Sequence, residues 1–144
     1  MRRIVVLGAV MTLGASLTLM YGARLGAQQP APINPANFTG VVTPHPASDI
    51  RTLRYEFAPG ARTNWHSHTG GQVILIEQGR MRAQESGKPI MEFAQGSTVR
   101  TEPGVVHWHG AVPGEALRQV ALSFGATNWM EKVTDEEYAS GTRR

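Results

Sequence analysis

Residues 50–57, IRTLRYEF, place Leu53, Tyr55 and Phe57 on one side of an extended chain and Arg54 and Glu56 on the other. A period of two is the signature of a strand with one face in a core. After a turn at Pro59-Gly60-Ala61, the run QVILIEQ (72–78) predicts a second strand, closed by Gly79. MRAQE (81–85), KPIMEF (88–93) and STVRT (97–101) follow as further short strands, with turns in ESGK and AQGS. Another turn lies in WHGAVPGEA, and ALRQVALSF (116–124) returns as a strand. Short strands separated by glycine- and proline-bearing turns at about 8–12-residue spacing predict an all-β sandwich or barrel.

The two ends break this pattern. In NWMEKVTDEEYAS (128–140), Trp129, Met130 and Val133 fall at helical spacing, and Thr134 followed by Glu137 reads as a capping box. A C-terminal helical tail is therefore expected over residues 127–144, packed on the barrel through Trp129, Val133 and Tyr138. At the other end Met1-Arg2-Arg3 precedes an uncharged apolar run from Ile4 to Tyr21, and Leu25-Gly26-Ala27 offers a small-residue cleavage site. Basic, apolar, then small is the layout of a secretory signal peptide. The run is just short of the roughly 20 residues that span a bilayer comfortably, which favours cleavage after Ala27 over a retained anchor. The expected organisation is a signal peptide at 1–27, a proline-rich arm at 28–49, a barrel at 50–126 and the tail. The protein is expected to be exported, periplasmic or secreted, and free of the membrane once the leader is removed.

The leader also accounts for the net charge. Three of the 14 basic residues (Arg2, Arg3, Arg24) lie in it and none of the 11 acidic ones do, leaving 11 of each in the mature part. A formally neutral domain without a basic patch is not a nucleic-acid binder by charge. There is no cysteine, so the exported domain has neither a disulfide nor a thiolate ligand. Any metal site must be built from imidazole, carboxylate or amide groups.

Histidine is where the composition becomes specific. Four of the five histidines fall in two His-x-His units, His66/His68 and His107/His109. In a strand, residues two apart point the same way, about 7 Å apart. Two such units brought face to face can supply three nitrogens to one ion. Trp65 and Trp108 alternate with these histidines, so they point away and are expected to pack.

These residues resemble the cupin superfamily. Its first motif is matched by Gly60, five residues, His66-Ser67-His68, three residues, Gln72, six residues and Gly79, with Gln72 where most cupins have a glutamate. Its second motif is matched by Gly96, Pro103-Gly104 and His107, with the proline shifted by one and Ala111 in place of asparagine. The resemblance covers about residues 50 to 125 and implies a double-stranded β-helix, the jelly-roll barrel of cupins. More narrowly, APGARTNWHSH, GGQ, HWHGA and NWMEKVTDEEY are similar to small bacterial cupins that include manganese-dependent hydroxynitrile lyases.

That resemblance implies a metal held by His66, His68, Gln72 and His107, with manganese as the ion. Chemistry alone says a divalent first-row metal, so Fe, Co, Ni and Zn are also compatible. Three imidazoles and an amide are all neutral, which leaves the charge of the ion uncompensated and makes it a stronger Lewis acid. His109 shares the face of His107 and is a candidate general base or hydrogen-bond partner of a substrate. The chain departs from the lyases at Gln119, where they carry a histidine about twelve residues after the third metal histidine; Gln119 cannot act as a base near neutral pH. The resemblance implies a lyase acting on a small cyanohydrin or carbonyl substrate. An iron or manganese dioxygenase and a non-catalytic binder of metal or small ligand are the alternatives. A homo-oligomer, dimer or tetramer, is implied as well.

Overall fold

A computed structural model of the chain describes residues 34–140. The signal peptide expected at residues 1–27 lies outside the described residues, as do the start of the arm and residues 141–144. Two units separate, residues 1–44 and 45–144. The described part of the first holds one turn of 3-10 helix, Pro35–Asn37.

Among the described residues the second unit is built from nine strands. They are β1 (Ile50–Phe57), β2 (His66–His68), β3 (Gln72–Gln78), β4 (Arg80–Glu85), β5 (Met91–Ala94), β6 (Thr98–Thr101), β7 (His107–Ala111), β8 (Leu117–Phe124) and β9 (Thr127–Trp129). A six-residue helix, α1 (Asp135–Ser140), ends the described chain. The strands form a four-stranded sheet in the order β1-β8-β3-β6 and a five-stranded sheet in the order β5-β4-β7-β2-β9. Every pairing is antiparallel. This is the expected all-β double-stranded β-helix with a short C-terminal helix. Among the described residues no helix is long and apolar enough to cross a membrane.

Register explains the core. Leu53 on β1 lies opposite Ala121 on β8, which lies opposite Ile74 on β3, which lies opposite Val99 on β6. Phe57 lies opposite Leu117. Cross-strand neighbours share a face, so these rows point together into the barrel. Ile74, Ile76, Ala121 and Leu117 bury there against Met81 and Ala111 of the other sheet. At Gly79 the chain turns from β3 into β4 with φ of 81°, in the left-handed region that favours glycine. A Cβ there would also run into the Ala116 carbonyl oxygen.

A second cluster, Trp65, Trp108, Val133 and Tyr138, covers the opposite face of β7. The two indoles meet edge to face, centroids 6.4 Å apart. The Trp108 Nε1–H donates to Gln84 Oε1 at 3.1 Å, and the Tyr138 hydroxyl donates to the Ala111 carbonyl at 2.6 Å. The guanidiniums of Arg62 and Arg82 lie 4.5 Å and 5.0 Å from the Tyr138 ring centroid. The capping box closes as expected: Thr134 Oγ1 accepts from the Glu137 amide at 3.1 Å, and a Glu137 carboxylate oxygen accepts from the Thr134 amide at 2.8 Å.

The tail needs one correction. Trp129 is not part of a helix and does not pack on the barrel with Val133 and Tyr138. Residues 127–129 pair with β2 instead, Trp129 opposite His66 and Thr127 opposite His68, and Trp129 is 62% exposed. The physical reason is that strand pairing satisfies the backbone here one residue at a time. A helix needs several residues fixed before its first bond forms, and the cap that assists this comes only at Thr134.

Candidate metal centre

β2 and β7 lie side by side with His66 opposite His107. Strand alternation then turns His68 and His109 the same way, into the barrel. The ring centroids of His66 lie 4.2 Å from His107, 5.1 Å from His68 and 5.4 Å from His109. All four histidines are buried. The ligand atoms of His66, His107 and His109 lie within 4.8 Å of one another, a buried three-histidine group that could bind a metal ion. The His68 ring stands 5.6 Å from that of His107.

The facing sheet brings the amides. Gln72 on β3 places Oε1 3.0 Å from His107 Nε2, and its Nε2–H donates to Ser123 Oγ at 3.0 Å. Gln119 on β8 is 0% exposed and places its amide Nε2 3.2 Å from His109 Nδ1. The six residues singled out from the sequence (His66, His68, Gln72, His107, His109 and Gln119) therefore meet in one place.

Hydrogen bonds set the ring orientations. His66 Nδ1 lies 2.9 Å from the Asn64 carbonyl, and His107 Nδ1 lies 3.0 Å from the Val105 carbonyl. A carbonyl only accepts, so each Nδ1 carries the proton and each Nε2 presents a lone pair. His68 Nδ1 lies 2.9 Å from Thr127 Oγ1, while its Nε2 is buried without a hydrogen-bond partner. A buried nitrogen left in that state is costly unless something else meets it. Gln72 Oε1 then faces the His107 Nε2 lone pair at 3.0 Å, two acceptors in contact. Ligand atoms held at about 2.1 Å from one ion and at right angles lie about 3 Å apart. The donor set fits a divalent first-row cation, with the carbonyl contacts of His66 and His107 holding those two rings in the metal-binding tautomer. His109 differs: an amide N–H donating to its Nδ1 puts the proton on Nε2, so the ring offers the cavity a donor.

Electrostatics agree with neutral rings. Burial, with repulsion from His107 as a smaller cause, pushes His66 down to about 4. Burial and then His66 push His68 down to about 4. His107 is lowered chiefly by burial, with the Val105 carbonyl opposing. His109 falls well below its usual value, mainly through burial and then through the three other imidazoles.

Two cavities reach this cluster. One of about 240 Å³ opens beside His66, His68, Gln72 and His109, with Arg51, Tyr55 and Trp129 around it. The Trp129 ring lies 4.8 Å from that of His66. The other, about 120 Å³ and largely apolar, approaches His107 and His109 past Met81, Met91, Phe93 and Val99. Sequence reasoning missed Ser123, Thr127, Arg51 and Trp129 as members of the site. Strand parity could have put Ser123 on the face of Gln119, but nothing local ties either residue to Gln72. Thr63, given no role from sequence, brackets His109: its Oγ1 accepts from the His109 amide at 3.2 Å and its own amide donates to the His109 carbonyl at 2.9 Å. Gly110, beside His109, allows the 62-to-110 bridge to close, since a Cβ there would run into Ala61 and Arg62.

A two-sheet β-barrel with inward histidines on two neighbouring strands is the architecture of cupins, and the chain belongs to that family: residues 53–122 match the model of the cupin domain. An (R)-mandelonitrile lyase from Granulicella tundricola is 39% identical over 127 residues, 80% of this chain and 95% of that protein. Among solved structures, a cupin-like protein from Thermotoga maritima is 42% identical with a TM-score of 0.61, over 62% of this chain and 71% of that one. A conserved protein with a double-stranded β-helix domain from Klebsiella pneumoniae shares the fold alone, at 16% identity and a TM-score of 0.54 over 72% of this chain and 100% of that one.

Proposed function

We propose that this chain is an exported, metal-dependent cupin enzyme that performs lyase-type chemistry on a small oxygen-bearing substrate, with His66, His68, Gln72 and His107 as the metal ligands. The observation that carries the reading is the hydrogen bonding of the buried rings. His66 and His107 spend their Nδ1 protons on backbone carbonyls, and the buried Nε2 of His68 has no hydrogen-bond partner. Manganese is the ion implied by the resemblance; the donor set itself suits any divalent first-row metal. When bound, the ion supplies Lewis acidity for an oxygen that gains negative charge.

The chain supplies the rest. His109, with its proton on Nε2, offers a hydrogen bond to the same developing charge. Carrying a proton away through His109 requires the Gln119 amide to turn, so that its oxygen accepts from Nδ1–H. Gln119 stands where the lyases have a histidine, so this pocket has one titratable ring fewer for cyanohydrin cleavage. The relative's name supports a carbon–carbon lyase as the first reading.

The test is metal analysis of the mature protein purified from its own compartment, repeated with His66→Ala, followed by release of aldehyde and cyanide from mandelonitrile above the rate given by free metal. A metal-free wild type sinks the centre; a loaded protein without turnover sinks the cyanohydrin substrate. The apolar cavity past Met81 and Phe93 favours a second reading, a dioxygenase fed with dioxygen by that route. Oxygen uptake with candidate diols or diketones separates the two. A homo-oligomer is part of the proposal and is checked by light scattering.

A further inference from the structure

We propose that the larger cavity recognises a small carboxylate and that Arg51 is the residue that binds it; this rests on the reading that the histidine centre takes a small oxygen-bearing molecule. Arg51 lies in β1 beside Leu53, Tyr55 and Phe57, the residues of that strand that line the same cavity. Arg54 and Glu56 belong to the opposite face, where they pair with Glu77 and Arg118. Register fixes the direction independently. Ser123 on β8 is opposite both Arg51 on β1 and Gln72 on β3, and it turns inward to accept from Gln72. Arg51 therefore stands in the same inward row, two strands from Gln72, with backbones about 10 Å apart at ordinary strand spacing. A long arginine side chain and a molecule of a few carbon atoms together span that gap.

Charge makes this position unusual. Of the seven arginines among the described residues, six are in ion pairs with carboxylates: Arg54, Arg62, Arg80, Arg82, Arg100 and Arg118. Arg51 alone has no carboxylate partner among the described residues, and it lines the histidine cavity. No aspartate or glutamate lines that cavity. The other arginine there, Arg62, is already held by Asp135 at 2.6 Å and by the Val133 carbonyl. A guanidinium with its donors unspent, facing a cavity without acids, is a receptor for a carboxylate, which it can grip through two parallel N–H bonds. The substrate class that follows is a hydroxy or keto acid, its carboxylate on Arg51 and its second oxygen at the histidines. A neutral cyanohydrin would leave Arg51 unused.

Calorimetric titration of the metal-loaded mature chain with mandelate, and with its neutral amide mandelamide, tests this in wild type, Arg51→Gln and Arg51→Lys. The wild type is expected to bind mandelate at least about tenfold more tightly than mandelamide, a gap that narrows at high salt. Arg51→Gln should remove most of that gap, and Arg51→Lys should keep part of it. A preference for mandelate that survives intact in Arg51→Gln, or is absent in wild type, overturns the assignment while leaving a ligand-binding centre in place. If neither probe binds the loaded wild type, the underlying reading of the pocket falls and the carboxylate with it.

Discussion

Gln72 Oε1 and His107 Nε2 stand 3.0 Å apart although the residues are 35 positions apart in the chain and lie in different sheets. The Val105 carbonyl takes the His107 Nδ1 proton and Ser123 takes a Gln72 amide hydrogen, so the two atoms that meet are both electron-rich. A cation between them would resolve the contact. Gln72→Glu would add a charge to an all-neutral ligand set. The expected result is metal affinity raised by at least about tenfold, read by competition with a chelator, together with lower turnover because the ion is a weaker Lewis acid.

The three-histidine group His66, His107 and His109 and the ligand set that includes His68 and Gln72 make different predictions. His109 has Nδ1 against the Gln119 amide, whereas His68 has a buried Nε2 with no partner. His68→Ala should therefore lower bound metal by roughly 10–100-fold in affinity, as loss of a ligand does at least as severely as loss of its outer-shell support. His109→Ala should keep near-stoichiometric metal and lose turnover. Elemental analysis of the two purified variants decides; full metal in His68→Ala would hand the ligand role to His109.

The metal-free protein should lose stability in acid over a defined window. His66 and His68 titrate at about 4 when folded, against 6.5 for a free histidine. Between those values the unfolded chain takes up protons that the buried rings refuse. Their contribution is fully present above about pH 6.5 and is lost as pH falls toward 4, on the order of a few kcal/mol in total. Thermal melts of the apo protein should be level from pH 8 to about 7 and fall steeply below about 6. A melting temperature that does not move down to pH 4 would contradict the burial of neutral rings.

The tail holds the back of the histidine strand. Tyr138→Phe removes the 2.6 Å bond to the Ala111 carbonyl and leaves that acceptor buried. The expected cost is about 1–1.5 kcal/mol, a drop of about 4 °C in Tm for a domain of this size. Metal content should not change, because Tyr138 packs on the face of β7 turned away from the histidines.

Much of this architecture is legible in short stretches of sequence. The alternation in residues 50–57 and the run QVILIEQ correspond to β1 and β3 residue for residue. The spacing of His66/His68 and His107/His109, with the tryptophans between, already says that the two rings of each pair share a face, because a strand has a period of two. Thr134 and Glu137 announce their own cap. Local rules suffice wherever the partners are near in sequence.

Other members of the site were settled only by the tertiary structure. Helical spacing in NWMEKV was a true pattern that lost to pairing with β2, a partner some sixty residues away whose free edge no local signal reveals. Arg51, Ser123 and Gln72 form one row only because β8 inserts between β1 and β3. Side-chain direction is a property of a few bonds and is written in the sequence; which strands become neighbours is decided by long-range hydrogen bonding and burial, and that choice is what assembles the candidate cation site and places an unpaired arginine in the lining of its cavity.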